Sequence, residues 1–283
     1  MSALTLPESP ATFDDSMCHW NLPLPEKLNQ LSRDQLLFYR ENGYVLVKGL
    51  ISKTDAARYR EDCQTLASQL AKHKNIDATW GGAREMTQGR QTVIQHCHDV
   101  QFYNASFTRL MVDDRLTGAA ADIIGPNVQL HHTKMFIKPP EKGSPFPMHQ
   151  DYPYFTHQNH SMIAAIIHFD ESSIEKGCVR VYPKSHKLGP LAVVKSGGLH
   201  LDFEKWPVDK ATPCEAEAGD VLFFSYLTIH GSGLNVSKEP RTTVLIQMRD
   251  PADPRTADVH NSLGQGTMMR GIDPTRTRDV GVH

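Results

Sequence analysis

A histidine and an aspartate stand two residues apart in Pro145-Phe146-Pro147-Met148-His149-Gln150-Asp151-Tyr152. On an extended strand, side chains at i and i+2 share a face, so both can point at one cation. A third ligand has to come from elsewhere. His230 suits that place, because it follows the apolar run Val221 to Ile229 and would sit at the mouth of a barrel. Two imidazoles and a carboxylate form the facial set of non-haem iron(II) enzymes, which leaves coordination positions open for an oxo-acid and dioxygen. Alone, His-x-Asp is weak evidence in a chain with 15 histidines, where a hydrogen-bonded surface pair is the plainer reading. Arg241 strengthens it. It opens the strand-like run Thr242-Thr243-Val244-Leu245-Ile246, and an antiparallel return after the turn at Gly233 to Pro240 would carry it back beside the metal. A guanidinium fork grips the far carboxylate of a dicarboxylate in a way lysine does not. Ser232 offers a hydroxyl to the same group.

These residues need a scaffold of strands. Val128 to Lys138, Met162 to Asp170, Cys178 to Tyr182, Asp220 to Tyr226 and Arg241 to Met248 each read as strands between Gly, Pro, Asn and Ser clusters. Strands without intervening helices imply antiparallel pairing. The first half is different. Ser32 with Gln35 three residues on predicts a capped helix ending near Gly43, and Tyr44 to Val47 predicts a short strand. Lys53 to Lys72, capped at Thr54, and Thr108 to Ile124, stopped by Gly125-Pro126, predict two further helices. The expected fold is mainly β with flanking α-helices, its core a double-stranded β-helix of the jelly-roll, cupin-like type. Residues 1–30 are expected as an irregular arm and 31–283 as one domain, with a helical part to about 127, the jelly roll to about 250 and a tail over 251–283. The Gly-rich and polar segments 77–105 and 190–215 are candidate loops over a pocket.

Composition narrows the function. A net charge of −2 and no basic stripe argue against a nucleic-acid partner, and no apolar run of membrane-spanning length occurs. The first residues have no basic-plus-apolar leader, so the cytosol is the expected compartment. Five scattered cysteines without a Cys-x-x-Cys pair predict neither disulfides nor a zinc knuckle. A small-molecule substrate is the expected partner, and a homo-oligomer is compatible with the sequence.

The chain resembles the phytanoyl-CoA dioxygenase family from about Leu31 to about Asp250. The resemblance lies in Leu31-Ser-Arg-Asp-Gln through Glu41-Asn-Gly-Tyr-Val-Leu-Val-Lys-Gly-Leu50, His149-Gln-Asp151, Gly177-Cys178-Val-Arg-Val-Tyr-Pro183-Lys-Ser185-His186, Ala218-Gly219-Asp220, and His230-Gly-Ser232-Gly through Arg241. It implies iron(II) held by His149, Asp151 and His230, with 2-oxoglutarate as co-substrate held by Arg241 and Ser232, and dioxygen as oxidant. Lys134, on the strand before the His-x-Asp element, stands where relatives contact the co-substrate. The presence of Asp151 implies hydroxylation over halogenation, since halogenating relatives replace that carboxylate. Relatives often carry tryptophan in the strand that corresponds to Ala164 to His168, and this chain has none there.

Substrate identity is the least legible feature. Tyr152, Tyr154 and Phe155 could wall the pocket or pack in the core. His131, His132, His157, His160, His168 and Arg180 favour a substrate with a carboxylate, phosphate or phosphonate. Three readings compete. Arg241 and Ser232 count against a cupin-type enzyme that needs no 2-oxoglutarate. The intact ligand set counts against a non-catalytic barrel module, and the lack of a general-base motif against a zinc hydrolase.

Overall fold

The computed structural model describes residues 13–194, 198–257 and 260–276. Helix α1 (Arg33–Asn42) begins at Ser32, whose hydroxyl accepts from the Gln35 amide while the Gln35 side chain accepts from the Ser32 amide. It ends at Gly43, which takes the left-handed φ of +79° that glycine adopts without strain. Strand β1 (Tyr44–Val47) follows. Helix α2 (Lys53–Ala71) is capped by Ser52 and not by Thr54; the Ser52 hydroxyl is one residue outside the helix and reaches the Asp55 amide.

Next come β2 (Asp77–Ala78), α3 (Ala83–Met86) and β3 (Ile94–His98). The single helix expected over Thr108 to Ile124 is two, α4 (Ala105–Met111) and α5 (Asp114–Ile124). The break falls at Asp113, whose carboxylate caps α5 through the Arg115 amide. Short polar side chains prefer such caps to helix interiors, so an aspartate inside an apolar helical pattern becomes a new start. The Asp122 carboxylate of α5 accepts from the backbone amides of Asn29, Gln30 and Leu31, and so fastens the N-terminal arm.

The remaining strands are β4 (Val128–Lys138), β5 (Phe146–His149), β6 (Ile163–His168), β7 (Val179–Val181), β8 (Thr212–Cys214), β9 (Val221–Ser225), β10 (His230–Ser232), β11 (Arg241–Arg249) and β12 (Met268–Arg270). All pairs are antiparallel. The larger sheet runs β1-β9-β6-β11-β4-β3-β2 with β12 added on β4, and the smaller runs β5-β10-β7-β8. Jelly-roll architecture is thus realised as two facing sheets, and β12 adds a strand from the segment expected as a tail. Of the apolar run Val221 to Ile229 only the first part is strand: β9 ends at Ser225, close to the expected Tyr226, and the chain then crosses to the smaller sheet, where His230 starts β10.

Period-two alternation sorts the larger sheet's residues between its faces. Met135 and Ile137 of β4 and Val244, Ile246 and Met248 of β11 pack in the main core with Leu36, Leu66, Phe107 and Leu116 of the helices. Each large apolar side chain buried there contributes about 1.5–3 kcal/mol. The opposite face looks toward the smaller sheet. Ala164, Val179, Val181, Leu222 and Phe224 close the space between the sheets on one side. The other side stays open as a cavity. No helix among the described residues is long and apolar enough to cross a membrane.

Candidate metal centre and its cavity

His149 and His230 are directly opposite each other in the β5–β10 pair, with ring centroids 4.2 Å apart. Asp151 does not lie on the strand. β5 ends at His149, and Asp151 has right-handed helical torsions as it leads into a 3-10 turn over Tyr152–Tyr154. The two-residue spacing still works, because the turn swings the carboxylate back over the strand end. Its Oδ1 lies 3.6 Å from His149 Nε2 and 3.7 Å from His230 Nε2. Those separations exceed a hydrogen bond and are short enough for one ion to touch all three atoms.

The orientation of each ligand atom is set from behind. His149 Nδ1 donates to the Pro147 carbonyl at 2.7 Å and His230 Nδ1 donates to the Thr228 carbonyl at 2.9 Å. Each bond fixes the tautomer that leaves the Nε2 lone pair facing inward, as a metal ligand requires. Gln247 Nε2 donates to Asp151 Oδ2 at 2.6 Å, leaving Oδ1 for the ion. Gln150, between the ligands, donates to the carbonyls of Gly189 and Leu227 and pins the loop. Burial opposes charge on Asp151, but His230 and His149 beside it hold the carboxyl below its usual range. Burial, then His149, lowers His230 to about 4, so its ring is neutral. The donor set therefore fits a divalent cation.

A cavity of about 300 Å³ extends from this group. Alternate residues Arg241, Thr243, Leu245 and Gln247 of β11 line it, beside His132, Lys134 and Phe136 of β4. Arg241 reaches it from the larger sheet, opposite His230, and not by a hairpin return within one sheet; its β4 partner is Lys138. The guanidinium is buried, and Nη1 donates to the Gly177 carbonyl. Nε has no hydrogen-bond partner, and no carboxylate pairs with Arg241 among the described residues. Burial pushes it down to about 10, still charged at neutral pH. A buried, unpaired fork of this kind is a seat for an anion.

Ser232 also lines the cavity. Its hydroxyl accepts from Lys138 Nζ at 2.7 Å, which leaves the O–H free to donate inward. Lys138 is wholly buried and donates to the Gly233 carbonyl as well. Burial, then Arg241, presses its ammonium well below its ordinary range, with Cys178 acting in the opposite sense. Lys134 projects into the cavity with its ammonium 4.6 Å from the Trp80 ring centroid and no hydrogen-bond acceptor among the described residues, and burial lowers it to about 8.

Tyr154 and Phe155 line the cavity, whereas Tyr152 packs against Tyr226 and His160. Of the histidines expected around the substrate, His132 lines it; His131, His157, His160 and His168 are not among its lining residues, nor is Arg180. Sequence reasoning missed Trp80, His96, His98, Gln247, His260 and Lys138. Trp80, from the 77–105 segment, brings a tryptophan to the cavity, whereas Ala164 to His168 has none. No described residue of 190–215 lines the cavity, and 195–197 lie outside the described residues.

The phytanoyl-CoA dioxygenase family model matches residues 39–243. Peroxisomal phytanoyl-CoA dioxygenase of Bos taurus is 28% identical over 263 residues, covering 87% of this chain and 74% of the relative. A probable alpha-ketoglutarate-dependent hypophosphite dioxygenase of Stutzerimonas stutzeri is 26% identical over 217 residues, covering 74% and 75%. The fold is shared with the non-heme alpha ketoglutarate dependent carbocyclase SnoK from nogalamycin biosynthesis, at TM-score 0.67 and 21% identity over 84% of this chain and 93% of that one. The match over most of the chain and the two-sheet fold agree: the protein belongs to the phytanoyl-CoA dioxygenase family of iron- and 2-oxoglutarate-dependent oxygenases.

Proposed function

We propose that the protein hydroxylates an unactivated C–H bond of a small-molecule substrate, with His149, Asp151 and His230 holding iron(II) and Arg241 and Ser232 holding the far carboxylate of 2-oxoglutarate. One observation carries the reading: a two-histidine, one-carboxylate group and a buried guanidinium with no carboxylate partner among the described residues share a single cavity. When bound, iron, 2-oxoglutarate and dioxygen supply the oxidising power, with release of succinate and carbon dioxide. The protein positions and shields. Carbonyl-anchored imidazoles and the Gln247 amide keep three donor atoms converged, Ser232 donates from a hydroxyl fixed by Lys138, and Arg241 supplies charge where water is excluded. Lys134 completes the anion-facing set.

Tyr154, Phe155, Trp80 and Phe136 give the cavity an apolar wall, while Lys134 and His132 give it polar points. This pairing suits a substrate with an apolar reacting segment and an anionic end: an acid, a phosphonate, an acyl-CoA or a natural product. The described residues form one oxygenase domain on this reading, since helices and larger sheet share a core. Five free, buried cysteines agree with a reducing compartment such as the cytosol.

The test is anaerobic. Iron(II) and 2-oxoglutarate added to metal-free protein are expected to give the weak visible charge-transfer band of an iron-bound oxo-acid, lost in His149→Ala and weakened in Arg241→Ala. Folded protein that binds iron without the band rules out the co-substrate assignment.

A further inference from the structure

A second cluster of nitrogens lies at the edge of the cavity. Consecutive strand residues normally point to opposite faces, yet His131 Nδ1 and His132 Nδ1 are 2.9 Å apart. The register explains it. Gln247 pairs with His132 and Met248 with Leu130, so His131 is an extra residue bulging from β4. Bulges re-aim side chains and gather beside functional sites. The His260 ring stacks on His131 with centroids 5.5 Å apart and stands 5.3 Å from His132. One nitrogen from each of the three rings falls within 4.8 Å of the others. His260 Nδ1 is buried without a hydrogen-bond partner.

We propose that His131, His132 and His260 form a second metal site, separate from His149–Asp151–His230, for a borderline divalent cation that takes imidazoles at right angles, copper(II) or nickel(II) ahead of zinc(II). Nitrogens about 2.0–2.1 Å from one ion are about 2.9 Å apart in neighbouring square positions and about 3.3 Å apart in a tetrahedron. The His131–His132 separation of 2.9 Å matches the square arrangement. His132 and His260 line the cavity, which gives an ion its entry route. Burial, then Lys134, lowers the His260 imidazole below its ordinary range, and the Asp99 carboxylate, whose Oδ1 is buried without a partner, acts against them. With burial, Lys134 and Arg255 all opposing charge there and only Asp99 favouring it, a moderate affinity is expected.

Full-length protein with His149→Ala and His230→Ala lacks the first group and can be titrated with copper(II) under electron paramagnetic resonance. The expected result is one equivalent showing splitting from several imidazole nitrogens. Adding His260→Asn or His132→Asn removes it, and adding His73→Asn, at an exposed helix-end histidine, leaves it unchanged. His260 is only half-buried, so its replacement reports on the site even where His132→Asn impairs folding. Absence of a nitrogen-split equivalent, or one that survives both replacements, overturns the proposal and leaves the pair a hydrogen bond.

Discussion

Asp151 has two oxygens with different tasks, and Gln247 makes the difference. Its amide holds Oδ2 at 2.6 Å, so Oδ1 alone faces the imidazoles. Gln247→Leu keeps the volume and removes the donor. Metal affinity is expected to fall about 10–100-fold with the fold intact, measured by competitive iron(II) or cobalt(II) titration; unchanged affinity would show that the bond does not orient the carboxylate. His149, Asp151, His230, Arg241 and Ser232 were legible because spacing and motif order tie them together. Gln247, Lys138, Trp80 and His260 were not, since each is an ordinary residue type brought in from a distant segment. Lys134 and Lys138 show the limit: both project from β4, but only the fold reveals that Lys138 binds Ser232 while Lys134 has open cavity before it.

At the scale of elements, the ligand pair depends on how closely β5 and β10 approach. A Cβ on Gly231 would stand 2.5 Å from Met148 Sδ and 2.7 Å from the Phe146 carbonyl oxygen. The carbonyl belongs to the neighbouring strand and cannot yield without moving it. Gly231→Ala is therefore expected to separate His149 from His230, cost about 1–3 kcal/mol as other overpacking does, and weaken metal binding together with stability. A variant with a lowered melting temperature and undisturbed metal affinity would refute this coupling. The helix and strand pattern was readable where one period ran cleanly, as in β4 and α1. It failed at Asp113, whose capping carboxylate starts a new helix inside an apolar run, and at the start of α2, where Ser52 and not Thr54 is the cap.

Across the whole molecule, burial keeps many histidines neutral. It lowers His19 to about 3 and His168 and His186 to about 4, against an ordinary 6.5. Each folded value lies below the unfolded one, so this stabilisation is complete above pH 6.5 and fades as pH falls toward 4. Each ring contributes a slope of up to about 1.4 kcal/mol per pH unit within that window. The melting temperature of metal-free protein is thus expected to drop steeply between pH 6.5 and 4.5, and a flat profile would mean these rings are already protonated in the fold.

Lys138 and Arg241 face each other across β4 and β11, both buried and neither paired with a carboxylate among the described residues. Burial and the neighbouring Arg241 disfavour charge on Lys138, and an anion arriving at Arg241 would relieve that pressure. A dicarboxylate binding at Arg241 should then raise the melting temperature even without metal, in proportion to its occupancy, and Arg241→Ala should abolish the response. In a cell, this would make the protein's lifetime follow the supply of its own co-substrate: scarce dicarboxylate would mean faster opening and faster proteolysis. Abundance would then register metabolic state before any turnover takes place.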